Sequence, residues 1–220
     1  MTLSTIKLET APAPKISVIW MHGLGADGND FVPLVGELDL RSCPPIRFVF
    51  PNAPHIPVSV NGGYVMPAWY DIRSADLLNR EDEAGLRASQ LAIEELIDIE
   101  LKDGAEKIIL AGFSQGCAMT LQTGLRHSGK LAGLLCLSGY LPLPQTVVQE
   151  ATEANKHVPI FMAHGVADPV VLIQRAQQSR DLLKQLGYQI EWHEYPMQHS
   201  VCGPEIVDIG NWFRRVLQAS

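Results

Sequence analysis

The chain has 220 residues, 46% of them hydrophobic, and its 17 lysines and arginines stand against 24 acidic residues, for a net charge of −7. A chain of this size can bury one substantial core, so we expect a single domain over residues 1–220. Its basic residues are scattered rather than clustered, which argues against binding to nucleic acid or to an anionic membrane surface.

The start of the chain and its cysteines point to a reducing compartment. The first fifteen residues, MTLSTIKLETAPAPK, lack the apolar core of an export signal, and no later apolar run approaches membrane-spanning length. We therefore expect a cytoplasmic protein without stable membrane insertion. The four cysteines form no CxxC pair, so we expect reduced, mostly buried thiols rather than zinc or redox chemistry. They are Cys43, Cys117, Cys136 and Cys202.

Strand-like and helix-like segments alternate along most of the chain. STIKLE is expected to form an antiparallel edge strand at the beginning. The later strand-like runs are KISVIWM, IRFVF, KIILAG, LAGLLCLS, VPIFMAH and YQIEWHEY. The clearest predicted helices are Glu83 to Leu101, Gln115 to His127, Leu172 to Leu186 and Pro204 to Leu217. This alternation predicts an α/β fold, in which helices cover both faces of a mainly parallel sheet.

A glycine-rich turn follows the first parallel strand, in WMHGLGADGNDF. GLGADG matches the GxGxxG pattern of dinucleotide sites, but such sites need an acidic residue at the end of the second strand, and IRFVF runs into PNAP instead. The competing interpretation is an oxyanion loop, because an HG-type turn at this place can supply a backbone N–H. A metal site on His22 and His164 lacks further ligands at recognised spacing. We therefore expect no cofactor and no metal.

The segment from Pro51 to Arg80 interrupts the alternation. It contains four prolines, two adjacent glycines and three large aromatic residues. We expect it to lack regular structure, and connections of this length in a compact domain are usually functional. It is therefore the best candidate for a loop that faces the substrate.

The motif GFSQG, at residues 112–116, matches the GxSxG pattern of a nucleophile elbow. The pattern alone is weak, but here KIILA supplies the preceding strand and QGCAMTLQTGL the following helix, as the elbow requires. An ordinary strand-to-helix turn with a solvated serine is the alternative. In the elbow interpretation, Ser114 is the nucleophile, and the main-chain amides of Leu24 and Gln115 are the two oxyanion donors.

A serine nucleophile needs a histidine base and a carboxylate, and in this architecture the chain order is Ser, then Asp or Glu, then His. Asp168 follows a strand end in VPIFMAHGVADPVV, and His199 follows the last strand in PMQHSVCGPE. Both positions belong to the carboxyl edge of a parallel sheet, where catalytic groups gather. We therefore predict a triad of Ser114, Asp168 and His199. His164 is expected to shape the Asp168 loop, and the remaining later histidines, His127, His157 and His193, are expected to be structural or solvated.

The motifs HGLGADGNDF, PNAP, VNGGYVMPAWYDI, GFSQG, HGVADPVV and YPMQHS follow one another along the chain. In this order they resemble the small carboxylesterase and acyl-protein thioesterase (lysophospholipase-like) family of α/β-hydrolases. The resemblance implies an α/β-hydrolase fold, and the near absence of inserted sequence argues against a large lid domain. It also implies a cofactor-free serine hydrolase that cleaves esters or thioesters of fatty acyl groups, with the triad named above. Members of this family often form dimers, so a homodimer is a further expectation.

Three details stay open at this point. The resemblance suggests that Trp69 and Tyr70, with Leu24 nearby, line an acyl groove, although both aromatic residues could instead pack the loop onto the core. Cys117 and Gln198 stand where the family usually has small residues, commonly glycine, which could alter the helix after the elbow and restrict the histidine loop. The rival functions are a non-catalytic binding protein and an amide or peptide hydrolase on the same scaffold.

Overall fold

The computed structural model describes residues 2–74 and 81–218. Within these ranges the strands are β1 (Thr5–Glu9), β2 (Ile16–Met21), β3 (Ile46–Pro51), β4 (His55–Val58), β5 (Tyr64–Pro67), β6 (Lys107–Phe113), β7 (Gly133–Leu137), β8 (Ile160–Gly165) and β9 (Ile190–Tyr195). The helices are α1 (Val32–Val35), α2 (Glu83–Lys102), α3 (Gln115–Arg126), α4 (Val147–Glu150), α5 (Ile173–Gln185) and α6 (Gly203–Gln218).

The main sheet has the strand order β1-β3-β2-β6-β7-β8-β9. Strand β1 pairs antiparallel with β3, and every other neighbouring pair in this sheet is parallel. All residues of β2, β7 and β8 are buried, as expected for parallel strands that are covered on both faces. The prediction of a mainly parallel α/β sheet with an antiparallel edge strand is confirmed.

Successive side chains of each strand point into two separate cores. On β6, Ile108 and Leu110 belong to one cluster, which also contains the apolar faces of α2, α3 and α5. Ile109 and Ala111 belong to the other cluster, which contains residues of α1 and α6. This division follows from the two-residue period of a strand, and it puts helices on both faces of the sheet.

The four helices predicted from periodicity are present, and their ends agree with the prediction to within one residue. The prediction for the segment from Pro51 to Arg80 is wrong in part. His55–Val58 and Tyr64–Pro67 pair antiparallel as a hairpin, and Ser59–Asn61 forms a short 3-10 helix between them. The strands are short, and each contains a proline, so no alternating pattern revealed them. Residues 75–80 of the segment lie outside the described residues.

The parallel strands bring the candidate residues to one edge of the sheet. Strands β2, β6, β8 and β9 end at Met21, Phe113, Gly165 and Tyr195. The glycine-rich turn, Ser114, Asp168 and His199 each lie within a few residues of one of these ends. Because neighbouring parallel strands point the same way, their carboxyl ends lie side by side.

Candidate active site

Ser114 occupies a strained turn between β6 and α3. Its backbone angles are φ 56° and ψ −116°, a conformation that costs a non-glycine residue on the order of 1–3 kcal/mol. Its amide donates to the Leu137 carbonyl at 2.9 Å, which ties the turn to β7. A side chain on Gly112 would collide with Gly116, and one on Gly116 would collide with the Met21 carbonyl. Both glycines are therefore needed for the close passage of strand and helix around the serine.

His199 bridges Ser114 and Asp168. Its Nε2 lies 2.9 Å from Ser114 Oγ, and its Nδ1 lies 2.7 Å from Asp168 Oδ2. An ionised carboxylate can only accept hydrogen bonds, so Nδ1–H donates to Asp168. Nε2 then keeps its lone pair and accepts from the Ser114 hydroxyl. The imidazole is further held by the Phe113 ring, whose centroid lies 4.7 Å from its own.

The carboxylate of Asp168 is buried and fixed by its own loop. Its Oδ1 accepts hydrogen bonds from the amides of Val170 and Val171 at 2.8 and 2.9 Å. This leaves Oδ2 to face His199, and its side chain is fully shielded from solvent. The loop thus sets the direction in which the carboxylate holds the imidazole.

His164 lies beneath the Asp168 loop. Its Nε2 is 2.7 Å from the Val171 carbonyl and 3.3 Å from Asp168 Oδ2. Burial lowers the pKa of His164, which favours the neutral ring. The Nε2–H therefore donates into the loop, and this contact fits the expectation that His164 shapes the loop.

The two predicted oxyanion donors flank the serine. A Cβ added to Gly23, the residue before Leu24, would lie 3.4 Å from Ser114 Cβ, so the glycine-rich turn passes directly beside Ser114. Within residues 2–74 and 81–218, neither the Leu24 amide nor the Gln115 amide donates to a protein acceptor. Gln115 is also the first residue of α3, where amides lack a partner within the helix. Within the described residues, both N–H groups thus lack a protein acceptor, as the predicted role requires.

His22 supports the turn that carries Leu24. Its Nδ1 lies 2.7 Å from the Gly23 carbonyl, and its Nε2 accepts from the Ala53 amide at 3.1 Å. Burial lowers the pKa of His22, so the neutral ring donates at Nδ1 and accepts at Nε2. Both ring nitrogens of His22 thus have protein partners, and within the described ranges no group of three or more His, Cys, Asp or Glu residues is arranged to hold a metal ion.

Trp69 and Tyr70 are packed inside the protein. They are only 1% and 3% exposed and belong to the core cluster that contains α2 and α3. The Tyr70 hydroxyl lies 2.8 Å from that of Tyr140, and the Trp69 indole N–H donates to the His22 carbonyl at 2.9 Å. These contacts correspond to the packing alternative rather than to side chains that line an open groove.

The side chain of Gln115 has contacts that the sequence did not indicate. It is buried, its Oε1 accepts from the Trp69 amide at 2.9 Å, and its Nε2 donates to the Tyr70 carbonyl at 2.7 Å. Only its backbone was expected to act. No sequence pattern links residues so far apart in the chain.

The two departures from the family pattern are accommodated. Cys117 is buried and packs against Gly139, where an added Cβ would collide with the sulfur. Gln198 is exposed and is absent from the described non-glycine residues with positive φ. A glycine is therefore not needed there for backbone conformation, and the His199 loop carries no strain at this position.

The remaining histidines have other surroundings. His193 stacks on Phe161 at a centroid distance of 4.8 Å and lies 3.0 Å from Glu191. His127 ends α3, where its carbonyl accepts from Asn155, and His157 is exposed. The structure brings none of these three to the Ser114 turn.

Comparison with known proteins identifies the family. The phospholipase/carboxylesterase family pattern matches residues 4–217. The chain belongs to this family. Acyl-protein thioesterase 1 of Neurospora crassa is 44% identical over 201 residues, which cover 86% of this chain and 82% of that protein. Acyl-protein thioesterase 1 of Cryptococcus neoformans var. neoformans serotype D is 37% identical over 236 aligned residues, 99% of each chain.

Solved structures agree with this assignment. The crystal structure of Zea mays acyl-protein thioesterase 2 superposes with a TM-score of 0.86 at 28% identity, covering 96% of this chain and 99% of that one. The α/β-hydrolase fold that the resemblance implied is confirmed. No helix within residues 2–74 and 81–218 has the length and apolar character needed to cross a membrane.

Proposed function

We propose that this family member hydrolyses carboxylic esters and thioesters of acyl groups through an acyl-enzyme on Ser114. The observation that carries the proposal is the continuous chain of contacts from Ser114 through His199 to Asp168, at 2.9 and 2.7 Å. A serine on a strained turn, a base within hydrogen-bonding distance and a buried carboxylate behind that base are the parts that acyl transfer needs. The carboxylesterase and thioesterase names of the relatives support the same reaction class.

Acylation begins when Ser114 Oγ attacks the substrate carbonyl carbon while its proton passes to His199 Nε2. The carbonyl π electrons move to oxygen, and the amides of Leu24 and Gln115 donate hydrogen bonds to the resulting oxyanion. Asp168 keeps the imidazole in the required tautomer and stabilises the imidazolium. When the tetrahedral intermediate collapses, the bond to the leaving alcohol or thiol breaks, and His199 returns the proton to that group.

Deacylation repeats these steps with water. His199 takes a proton from the water as its oxygen attacks the acyl carbon, and the same two amides hold the second oxyanion. Collapse breaks the bond to Ser114 Oγ, which recovers its proton from the imidazolium. The products are a carboxylic acid and the free enzyme, so the cycle needs no cofactor.

An acyl substrate also fits the surroundings of the site. Val166, Val170 and Leu172 are exposed on the loop that carries Asp168. Tyr64 and Val65 are exposed on the hairpin β4–β5, whose last residue contacts the glycine-rich turn through the hydrogen bond from Gly25 N to Pro67 O at 2.8 Å. Exposed apolar side chains on these two segments, which adjoin the Ser114 site, favour an apolar substituent on the substrate.

Labelling with a fluorophosphonate tests the nucleophile, because the reagent reacts with activated serines. We expect wild type to be labelled and Ser114→Ala to be unlabelled, with Ser128→Ala, at an exposed serine just beyond the far end of α3, as the matched control that keeps both label and rate. We expect Ser114→Ala and His199→Ala to lower ester turnover by roughly 10⁴- to 10⁶-fold. His157→Ala is the matched histidine control, since that exposed side chain lies apart from the site. An unlabelled wild type would indicate a non-catalytic binding protein, and near-normal rates in either active-site variant would refute the triad.

Matched substrates test the reaction class. We compare the hydrolysis rates of an ester, a thioester and an amide that carry the same acyl group, and we expect the amide to react most slowly. If the amide reacted faster than the ester and the thioester, the protein would be a peptide or amide hydrolase. A series of p-nitrophenyl esters of increasing acyl length then measures the acyl preference.

Two expectations from the sequence also remain part of the proposal. The homodimer can be tested by light scattering at several protein concentrations, and the cytoplasmic compartment by fractionation of the source cells. Neither outcome alters the chemistry assigned to Ser114.

A further inference from the structure

The two oxyanion donors are carried by turns on different strands, and one segment touches both. Leu24 follows β2, whereas Gln115 follows β6. An oxyanion hole works only if its two N–H groups keep a fixed separation, since they must meet the charge as it forms. Residues 67–70, here called the strap, leave the hairpin and run between these two turns, where they also contact α2.

On the Gln115 side, the strap is held by a side chain. Gln115 Oε1 accepts from the Trp69 amide, and its Nε2 donates to the Tyr70 carbonyl, at 2.9 and 2.7 Å. The Trp69 carbonyl accepts from the Ser89 hydroxyl of α2. The strap forms no helix or strand at Trp69 and Tyr70, so side-chain groups take the place of ladder hydrogen bonds there.

On the Leu24 side, the strap is held by the tryptophan and by its own backbone. The Trp69 indole N–H donates to the His22 carbonyl at 2.9 Å, and the two rings lie 5.3 Å apart. The Pro67 carbonyl accepts from the Gly25 amide at 2.8 Å. The strap therefore forms hydrogen bonds with His22 and Gly25, which lie two residues before and one residue after Leu24.

We propose that the Gln115 side chain and Trp69 are positioning residues, which act through the strap to fix the distance between the two oxyanion amides. Gln115 thus has two roles in the proposed oxyanion hole. Its main-chain amide is one donor, and its side chain anchors the strap that positions the other donor, the Leu24 amide. This proposal rests on the proposed function, because it concerns the charge that forms on the substrate at Ser114.

Two substitutions remove the links without removing either donor. Gln115→Leu keeps the main-chain amide and most of the side-chain volume but loses both hydrogen bonds to the strap. Trp69→Phe keeps an aromatic ring but loses the indole N–H. We expect each substitution to lower kcat for an ester by about 10- to 100-fold and to leave KM within about threefold of wild type. This loss in kcat is smaller than the roughly 10²- to 10³-fold loss that is typical when an oxyanion donor is removed outright.

The chain offers a matched control for each variant. Gln122 is a buried glutamine on the same helix, and its Nε2 donates to the Gln90 side chain at 2.9 Å rather than to the strap. Trp20 is a buried tryptophan whose indole N–H has no hydrogen-bond partner within the described residues. Gln122→Leu and Trp20→Phe should keep kcat within about twofold, even where their melting temperatures fall as far as those of the test variants.

Two further measurements separate positioning from general destabilisation. A trifluoromethyl ketone forms an anionic adduct with the serine, so its inhibition constant should rise by the same factor as kcat/KM falls. The double variant Gln115→Leu/Trp69→Phe should be slower than the worse single variant by at most about threefold, because both changes break one connection. Independent effects would multiply instead.

The proposal is overturned if either test variant keeps kcat within twofold of wild type, or if the control variants lose as much kcat as the test variants. It is also overturned if the rate losses of the two single variants multiply in the double variant. If Gln115→Leu does not fold, Trp69→Phe decides alone, since it leaves the backbone contacts of the strap intact. The wild-type rate and the labelling of Ser114 test the proposed function independently of the strap proposal. An inactive wild type would overturn both, whereas an active wild type with an unaffected Gln115→Leu would overturn the strap alone.

Discussion

Glu205, near the start of α6, gives a stability prediction with a worked magnitude. Its side chain is completely buried, its Oε2 accepts only a long hydrogen bond from the Cys202 amide at 3.4 Å, and its Oε1 has no partner within the described residues. Burial raises the pKa of Glu205 from 4.5 to about 8, with a smaller contribution from Asp208. In the folded protein the carboxyl is therefore protonated at neutral pH.

The sign of the pH dependence follows from proton binding. Between pH 4.5 and about 8, the folded protein holds this proton and the unfolded chain does not, so the free energy of unfolding falls as pH rises. The fall is about 1.4 kcal/mol for each pH unit, or roughly 3 kcal/mol by pH 7. Glu205→Gln keeps an acceptor for Cys202 and cannot ionise in either state, so it should lack this dependence.

Urea unfolding of both proteins at pH 5, 6, 7 and 8 measures the effect. The stability of Glu205→Gln relative to wild type should increase by about 3 kcal/mol across this range. Glu150→Gln is the control: the pKa of Glu150 is lowered to about 2 by hydrogen bonds from Arg126, Thr146 and Arg87 that outweigh its desolvation, so its effect should be constant from pH 5 to 8. If the free energies of unfolding of wild type and Glu205→Gln changed in parallel with pH, the raised pKa of Glu205 would be refuted.

Three further outcomes are expected. Asp168→Asn should lower kcat at neutral pH by about 10³- to 10⁴-fold, measured with an ester substrate, because the amide no longer enforces the tautomer of His199. Gly116→Ala should abolish ester turnover and lower the melting temperature, since its methyl group would collide with the Met21 carbonyl; normal turnover would contradict the elbow geometry. Wild type should lose stability as pH falls from 4.5 towards 2, because protonation of Glu150 breaks its contacts, and Glu150→Gln should lose less in that range, as thermal melts would show.

The arrangement of the sheet and the proximity of Ser114, Asp168 and His199 could be predicted largely from local signals. A buried parallel strand is a continuous apolar run, and a turn that ends such a run lies at the carboxyl edge whatever the rest of the chain does. Ser114 and Asp168 each follow a run of this kind, whereas His199 follows the partly exposed edge strand β9, and the structure brings the three side chains within hydrogen-bonding distance.

The surroundings of these three residues depend on long-range contacts that leave no local sequence pattern. The hairpin β4–β5 has four-residue strands that each contain a proline, so its pairing is decided by tertiary contacts. For Trp69 and Tyr70, an aromatic side chain in a long connection is equally consistent with a groove or a core. The choice is visible only from their partners, Gln115, His22 and Tyr140, which are distant in the chain.

Two different kinds of contact set the separation of the turns that carry Leu24 and Gln115, the proposed oxyanion donors. Strands β2 and β6 are hydrogen-bonded neighbours, with Met21 opposite Gly112, and the close approach of Gly116 to the Met21 carbonyl sets the distance at the base of the turns. Farther out, where Leu24 and the Gln115 amide lie, the strap forms hydrogen bonds to both turns. Contact at the base and hydrogen bonds farther out together restrict both the distance between the two turns and their relative orientation. The proposed oxyanion hole, if preformed in this way, needs no reorganisation when charge develops on the substrate, which is the condition under which fixed dipoles contribute most to catalysis.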